Sequence, residues 1–142
     1  DVAQKKKKTA IIEILIAAGA KKKKAANKQE VNDNDSTSNE AQKIIAKANS
    51  GDVRAQFKLG WVYLDGNGVD QSSEEAVLWW AKAAKNGHAG AQTELAWMYL
   101  QEDGVDYDLD VAVFWLKKAA SQDHKDAIGI LKGLTDEGLI EN

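Results

Sequence analysis

The residues best suited to chemistry are two histidines, because the 142-residue chain contains no cysteine. Histidine acts as a general base or a metal ligand near neutral pH, and His88 and His124 lie 36 residues apart. Neither belongs to a recognisable pairing of a nucleophile with a base. Without cysteine, the chain can form neither a thiolate metal site nor a disulfide. We therefore predict that both histidines begin equivalent helices, and we expect no catalytic residue, no metal and no cofactor.

Four aspartates form the second candidate site, since carboxylates are the usual ligands of calcium. They are Asp103, Asp106, Asp108 and Asp110. An EF-hand loop beginning at Asp106 would need glycine at its sixth position and a bidentate glutamate at its twelfth. Val111 and Lys117 occupy those positions instead. We predict that these acids cap a helix and face solvent.

The charge is distributed unevenly along the chain. Residues 1–30 contain nine lysines and three acidic residues, a net charge of +6, so the remainder carries −9 of the total of −3. A basic head therefore precedes an acidic body. The body has no basic stripe that could follow a phosphate backbone, so we expect no nucleic-acid partner. The length predicts one domain, and the absence of proline favours a mostly helical chain.

The elements that position these residues belong to an internal repeat. Residues 51–86 and 87–122 are two copies of one 36-residue unit, and residues 123–142 begin a third. Each unit has two apolar patterns with helical spacing, here named helix A and helix B, separated by a glycine-containing loop. In the first unit the apolar sets are Ala55, Leu59, Val62 and Tyr63 for helix A, and Ala76, Trp79, Trp80, Ala83 and Ala84 for helix B. Since one helical hairpin cannot bury its own apolar face, the repeat predicts an all-α solenoid of stacked hairpins.

Two flanking segments are predicted to cap this array, because a solenoid usually needs about three units with polar ends. Residues 38–50 resemble a helix B without its helix A, with Ser38 or Asn39 as the helix cap, and residues 123–142 form the other cap. Residues 25–37 have the composition of a linker. If these segments do not cap the array, the chain is part of a longer protein or self-associates through its ends.

The head, residues 1–24, has two lysine quartets, Lys5–Lys8 and Lys21–Lys24, around an apolar segment. That segment is shorter than the about 20 apolar residues of a transmembrane helix. We predict a short helix, Thr9 to Ala18, ended by Gly19, that packs on the array or on a partner. The alternatives are disorder, or a leader-like or membrane-surface segment that contacts lipid through residues 5–24.

The repeated residues resemble the SEL-one-like repeat, a subclass of the tetratricopeptide-like solenoids. The first unit matches through Ala55, Leu59, Gly60, Tyr63, Gly66, Gly68, Val69, Ala76, Trp79, Lys82, Ala83, Ala84 and Gly87. The second matches through Ala91, Leu95, Tyr99, Gly104, Val105, Ala112, Trp115, Lys118, Ala119 and Ala120, and departs at Ala96, Glu102 and Asp123. The resemblance implies a right-handed superhelix that acts as an adaptor or scaffold. It also implies a bacterial setting in the envelope, periplasm or secretion rather than the cytoplasm.

A candidate binding surface follows from helix A, which lines the concave face in such solenoids. Trp61 and Trp97 occupy equivalent positions there, with Arg54, Lys58 and Glu94 nearby. Aromatic residues and arginine dominate the binding energy of protein interfaces. These five residues are predicted to bind a protein or peptide. The alternative is that both tryptophans pack between adjacent hairpins.

The predicted function is therefore a non-enzymatic protein-interaction module. A second hypothesis keeps the fold and assigns it to a bacterial toxin antagonist or an envelope-assembly protein, whose acidic body covers a basic partner. A hydrolase is a third hypothesis, and the absence of a pairing of a nucleophile with a base argues against it.

Overall fold

The computed structural model describes residues 1–17 and 35–142, which form seven helices and no β-strand. In chain order the helices are α1 (Val2–Ala17), α2 (Asp35–Asn49), α3 (Val53–Asp65), α4 (Ser73–Lys85), α5 (Ala89–Gln101), α6 (Leu109–Ala120) and α7 (Lys125–Asp136). Helices α3 and α4 form the first hairpin, α5 and α6 the second, and α7 is helix A of the third unit. The predicted all-α solenoid is confirmed.

Successive hairpins stack through their neighbouring helices. Helix α4 packs on α5 and α6 packs on α7, so each helix B contacts the helix A of the next unit. Helix α2 packs on α3 in the same way. It therefore occupies the place of a helix B before the first full unit.

Two helices begin earlier than the sequence predicts. Helix α2 begins at Asp35 rather than at Ser38. Its first turn meets the loop of the first hairpin, because a Cβ on Gly68 would lie 2.7 Å from the carbonyl oxygen of Thr37. Helix α1 begins at Val2 rather than at Thr9, since exposed lysines are good helix formers and extend it. The predicted stop at Gly19 lies outside the described residues, as does most of the predicted linker.

The four helices of the complete units begin with side-chain caps at equivalent positions. Ser72 and Asp108 accept hydrogen bonds from the backbone N–H groups of Glu75 and Val111 at the start of α4 and α6. Before α3 the carboxylate of Asp52 accepts from the N–H of Ala55. Before α5 the cap is His88, whose Nδ1 accepts from the N–H of Ala91 at 3.0 Å. Because Nδ1 must keep its lone pair to accept, this cap exists only while His88 is neutral.

Within the first unit, helices A and B approach most closely at Gly60. A Cβ added there would collide with the indole of Trp80, which lies directly over the glycine. Trp80 is fully buried, and its Nε1–H donates to the carbonyl oxygen of Phe57 at 3.1 Å. The equivalent residues of the second unit are Ala96 and Leu116, both buried. A larger residue on helix A thus accompanies a smaller residue on helix B, and the space is filled in both units.

Two buried glutamine side chains form hydrogen bonds between successive units. Gln56 donates through Nε2 to the carbonyl oxygen of Ala48 at 3.3 Å, and Gln92 donates to that of Ala84 at 3.1 Å. Each bond runs from helix A to the last turn of the preceding helix B. The same two carbonyl groups also accept from the backbone N–H groups of Gly51 and Gly87, so each glutamine adds a second donor to the end of the preceding helix.

Replacing Gly60 and Trp80 by the alanine and leucine of the second unit tests the contact between α3 and α4. We expect Gly60→Ala to lower the free energy of unfolding by about 1–3 kcal/mol, because the new methyl group displaces the Trp80 ring. Trp80→Leu leaves a cavity and costs about 2 kcal/mol or more. The double variant reproduces the pair of the second unit, so its cost in urea denaturation should be smaller than the sum of the two. Additive costs would contradict this packing account.

Protonation of His88 should weaken the start of α5. Burial, together with the charges of His124 and Arg54, holds the pKa of His88 below its usual value. The stability due to neutral His88 is therefore complete above about pH 6.5 and is lost as the pH falls through and below that value. We expect His88→Asn, which keeps a cap without a titrating ring, to lose less stability between pH 7.5 and 5.5 than the wild type. Equal losses in thermal melts at the two pH values would disprove the titrating cap, and His88→Asp is the matched control.

Candidate functional site

The predicted binding residues lie on the helix-A face, defined here as the surface of α3, α5 and α7. Arg54 and Lys58 are exposed on successive turns of α3, and Glu94 is half-buried on α5. The two tryptophans differ in exposure. Trp61 is half-buried, whereas Trp97 is only 8% exposed and belongs to the main core cluster. Of the pair, only Trp61 offers appreciable ring surface to a ligand.

Trp61 is held by neighbouring aromatic rings. Its ring centroid lies 5.2 Å from that of Trp80 at an interplanar angle of 73°, and 6.5 Å from that of Phe57 at 88°. Such edge-to-face contacts are favourable arrangements of aromatic pairs. The indole is therefore fixed by its neighbours and is half-buried.

Phe57 extends this aromatic cluster to the next unit and was missed by the sequence prediction. Its ring stacks on His88, with centroids 4.4 Å apart and an angle of 24° between planes. Arg54 lies close enough for its charge to lower the pKa of His88. The repeat did not reveal this group, because Thr93 and Gly129 take the place of Phe57 in the other units.

Helix α1 lies on the other part of the helix-A face, in contact with α5 and α7. Its buried side chains, Ile11, Ile14 and Leu15, join the main core cluster that contains Trp97. The head was predicted to form a helix that packs on the array or on a partner, with a leader-like segment as an alternative, and this stays a prediction. Its position on the helix-A face was not predicted, because the repeat pattern does not extend into residues 1–24.

A second pair of exposed apolar residues lies on helix B. Leu78 of α4 is 56% exposed and Phe114 of α6 is 52% exposed, and they occupy equivalent positions. Lys118 lies over the Phe114 ring with its Nζ 5.0 Å from the centroid. This pair was not predicted from the sequence. The signal was present as two large apolar residues outside the predicted core pattern, separated by one repeat length.

The second histidine contacts a hydroxyl group. The Nδ1 of His124 lies 3.1 Å from Oγ1 of Thr93, and that hydroxyl donates to the carbonyl oxygen of Ala89. Thr93 is only 4% exposed, so a substrate could not reach it without rearrangement. The contact joins α5 to the start of α7, where His124 accepts no capping hydrogen bond from the helix. It is therefore an interaction between units rather than the pairing of a nucleophile with a base.

Tyr107 lies in the acidic loop before α6. Burial raises the pKa of Tyr107, and the neighbouring charges of Asp108 and Asp110 add to this effect. Within the described part of the chain, no three histidine, aspartate or glutamate residues are placed to hold a metal ion together. None of the helices in residues 1–17 and 35–142 combines the length and apolar content that a membrane crossing requires.

Comparison with known proteins identifies relatives of the repeat. The model of the Sel1 repeat matches residues 53–88 and 89–124. A Sel1 repeat protein from Oxalobacter formigenes is 40% identical, with a TM-score of 0.56 over 58% of this chain and 63% of that chain. A protective antigen of uropathogenic Escherichia coli strains, which displays an SLR fold, is 36% identical, with a TM-score of 0.58 over 59% of this chain and 18% of that chain.

The chain thus spans less than two thirds of either solved structure. The comparison with curated proteins gave no match. The two stretches that match the repeat model make up half of the chain and coincide with the two complete hairpins, α3–α4 and α5–α6. The protein therefore belongs to the Sel1 repeat family.

Proposed function

We propose that the protein is a non-enzymatic interaction module that binds a protein or peptide partner on its helix-A face. Sel1 repeat proteins are in general scaffolds for protein interactions and are typically not enzymes. The proposal assigns direct contacts with the partner to Arg54, Lys58, Trp61 and Glu94. Trp97, which is buried, would support the surface from below.

The observation that carries this proposal is the fixed and half-buried Trp61. A ligand that contacts the exposed part of this ring gains apolar contact and orders little new structure, because Trp80 and Phe57 already hold the ring. Binding energy at interfaces is concentrated in such aromatic and arginine residues. Trp61 is therefore the proposed anchor of the surface.

The charges around Trp61 favour a ligand with acidic and apolar groups at this end of the face. Arg54 and Lys58 lie one turn apart on the exposed side of α3. Both precede Trp61 on the same helix, so a carboxylate of the partner could bind them while an apolar side chain covers the indole. Glu94 takes the place of Lys58 in the second unit, so the charge changes sign between units.

A peptide library selected against the wild-type protein tests this surface. We expect the tightest selected peptides to lose about 30-fold or more in affinity for Trp61→Ala, the effect of a central interface residue. Arg54→Ala should weaken binding less. Phe114→Ala and Leu78→Ala remove apolar side chains of similar exposure from helix B, and they should leave the dissociation constant unchanged.

The measurement is fluorescence anisotropy with each selected peptide, after circular dichroism has shown that every variant keeps the helical content and melting temperature of a folded protein. Trp61→Phe keeps an aromatic ring on Trp80 and should retain most of the affinity. Peptides that bind Trp61→Ala and Arg54→Ala as tightly as the wild type would contradict the proposed site.

A further inference from the structure

One position of the repeat holds a different residue type in the third unit. Trp61 and Trp97 occupy it on α3 and α5, and Gly133 occupies it on α7. There, Ile14 of α1 fills the space that a side chain would take, because a Cβ on Gly133 would collide with Cγ2 of Ile14. Gly129, one turn earlier on α7, also lines this contact. The third unit thus has a recess where the others have an indole.

The side of α1 that faces the array is a short aliphatic pattern. Ile11, Ile14 and Leu15 are buried, with the i, i+3, i+4 spacing that brings side chains together on one helix face. Ile12 and Ile16 lie on the opposite side and are exposed. Three side chains therefore anchor the whole 16-residue helix.

Charge complementarity continues this contact toward the N-terminus of α1. The Nζ of Lys8 lies 3.7 Å from a carboxylate oxygen of Glu102, at the end of α5. Beside this ion pair is a cavity of about 670 Å³, lined by Lys7 of α1 and by Asp106 and Asp110 of the body, among others. The acidic side of the cavity therefore has room for additional basic side chains, or for larger ones, beyond those of α1.

We propose that this surface of α5 and α7 is a groove for a basic helix of a partner protein, and that α1 occupies it until the partner displaces it. The partner helix carries a lysine or arginine followed three, six and seven residues later by aliphatic residues, which is the spacing of Lys8, Ile11, Ile14 and Leu15. This inference rests on the proposed function and extends it to a second part of the same face. For the surface of α5 and α7, the ligand is a basic helix and the segment that competes with it is α1.

Helix α1 binds this surface in a way that would allow a partner helix to replace it. Helix α1 buries three side chains and leaves its lysines exposed. The next described helix, α2, packs on α3, at the other end of the array from α7. Helix α1 therefore docks at a distance from its neighbour in sequence. A basic helix is the favoured occupant, because Glu102, Asp106 and Asp110 place carboxylates beside this surface.

Binding of added helical peptides to the full chain tests the proposal. The first probe is a fluorescent peptide of residues 1–17. The second is a 17-residue alanine- and glutamine-based peptide that keeps only the basic residue and the three aliphatic residues at the proposed spacing. We expect Ile14→Asp in the full chain to bind both probes at least tenfold more tightly than the wild type, because α1 then leaves the groove. The matched control, Ile12→Asp on the exposed side of α1, should bind as weakly as the wild type.

Two further variants keep the test decisive if Ile14→Asp fails to fold. Lys8→Glu affects an exposed residue, removes the attraction to Glu102 and should increase probe binding several-fold. Gly133→Trp is then added to the Ile14→Asp or the Lys8→Glu variant. The new indole fills the recess that Ile14 of α1 occupies, so it should abolish probe binding. The folded state of each variant is checked by circular dichroism.

Equal binding of the probes by the wild type, Ile14→Asp and Lys8→Glu would overturn the inference. Dimers of the wild type in which α1 is exchanged between copies, detected by light scattering and cross-linking, would overturn it as well. The proposed function fails separately. If selected peptides lose affinity with Trp61→Ala but no variant of α1 opens the groove, only the inference is lost. If the α1 variants open the groove and Trp61→Ala has no effect on selected peptides, only the site around Trp61 is lost.

Discussion

The close approach of α3 and α4 at Gly60 is the contact on which the first unit depends. The glycine removes the side chain that would separate the helices, and the fully buried Trp80 fills the resulting space while donating to the carbonyl oxygen of Phe57. The same ring supports Trp61 from below. The packing of the hairpin and the orientation of the proposed binding residue therefore have one cause. In the second unit, Ala96 and Leu116 achieve the packing without the indole, and Trp97 is drawn into the core.

The equivalent positions 61, 97 and 133 show how one repeat supports three different surfaces. On α3 the indole is half-buried, on α5 it is part of the core, and on α7 its absence makes room for Ile14 of α1. None of these changes disturbs the backbone of the helix that carries them. A repeat can therefore vary its ligand surface while the contacts between hairpins remain the same.

Most of the fold could be predicted from the sequence, because helical periodicity and caps are local properties. The apolar sets of the repeat indicated the four helices of the complete units, and Asp108 caps α6 as expected. The burial of Trp97 was an alternative that the sequence left open, and the placement of α1 on the helix-A face could not be predicted. They depend on which segment covers a surface from outside the repeat, and a pattern within one helix contains no information on that. Phe57 was missed for a related reason, since its partner His88 comes from the following unit.

The side-chain hydrogen bonds of Gln56 and Gln92 couple the folding of one unit to that of the next. Each bond exists only when the preceding helix B and the following helix A are both formed, so loss of one unit leaves a buried polar group in the next without its partner. The formation of one unit therefore favours the formation of its neighbour. The third unit has Ile128 at this position and is joined instead through His124 and Thr93. The junction of α6 with α7, where α1 docks, thus lacks the buried glutamine that links the earlier units.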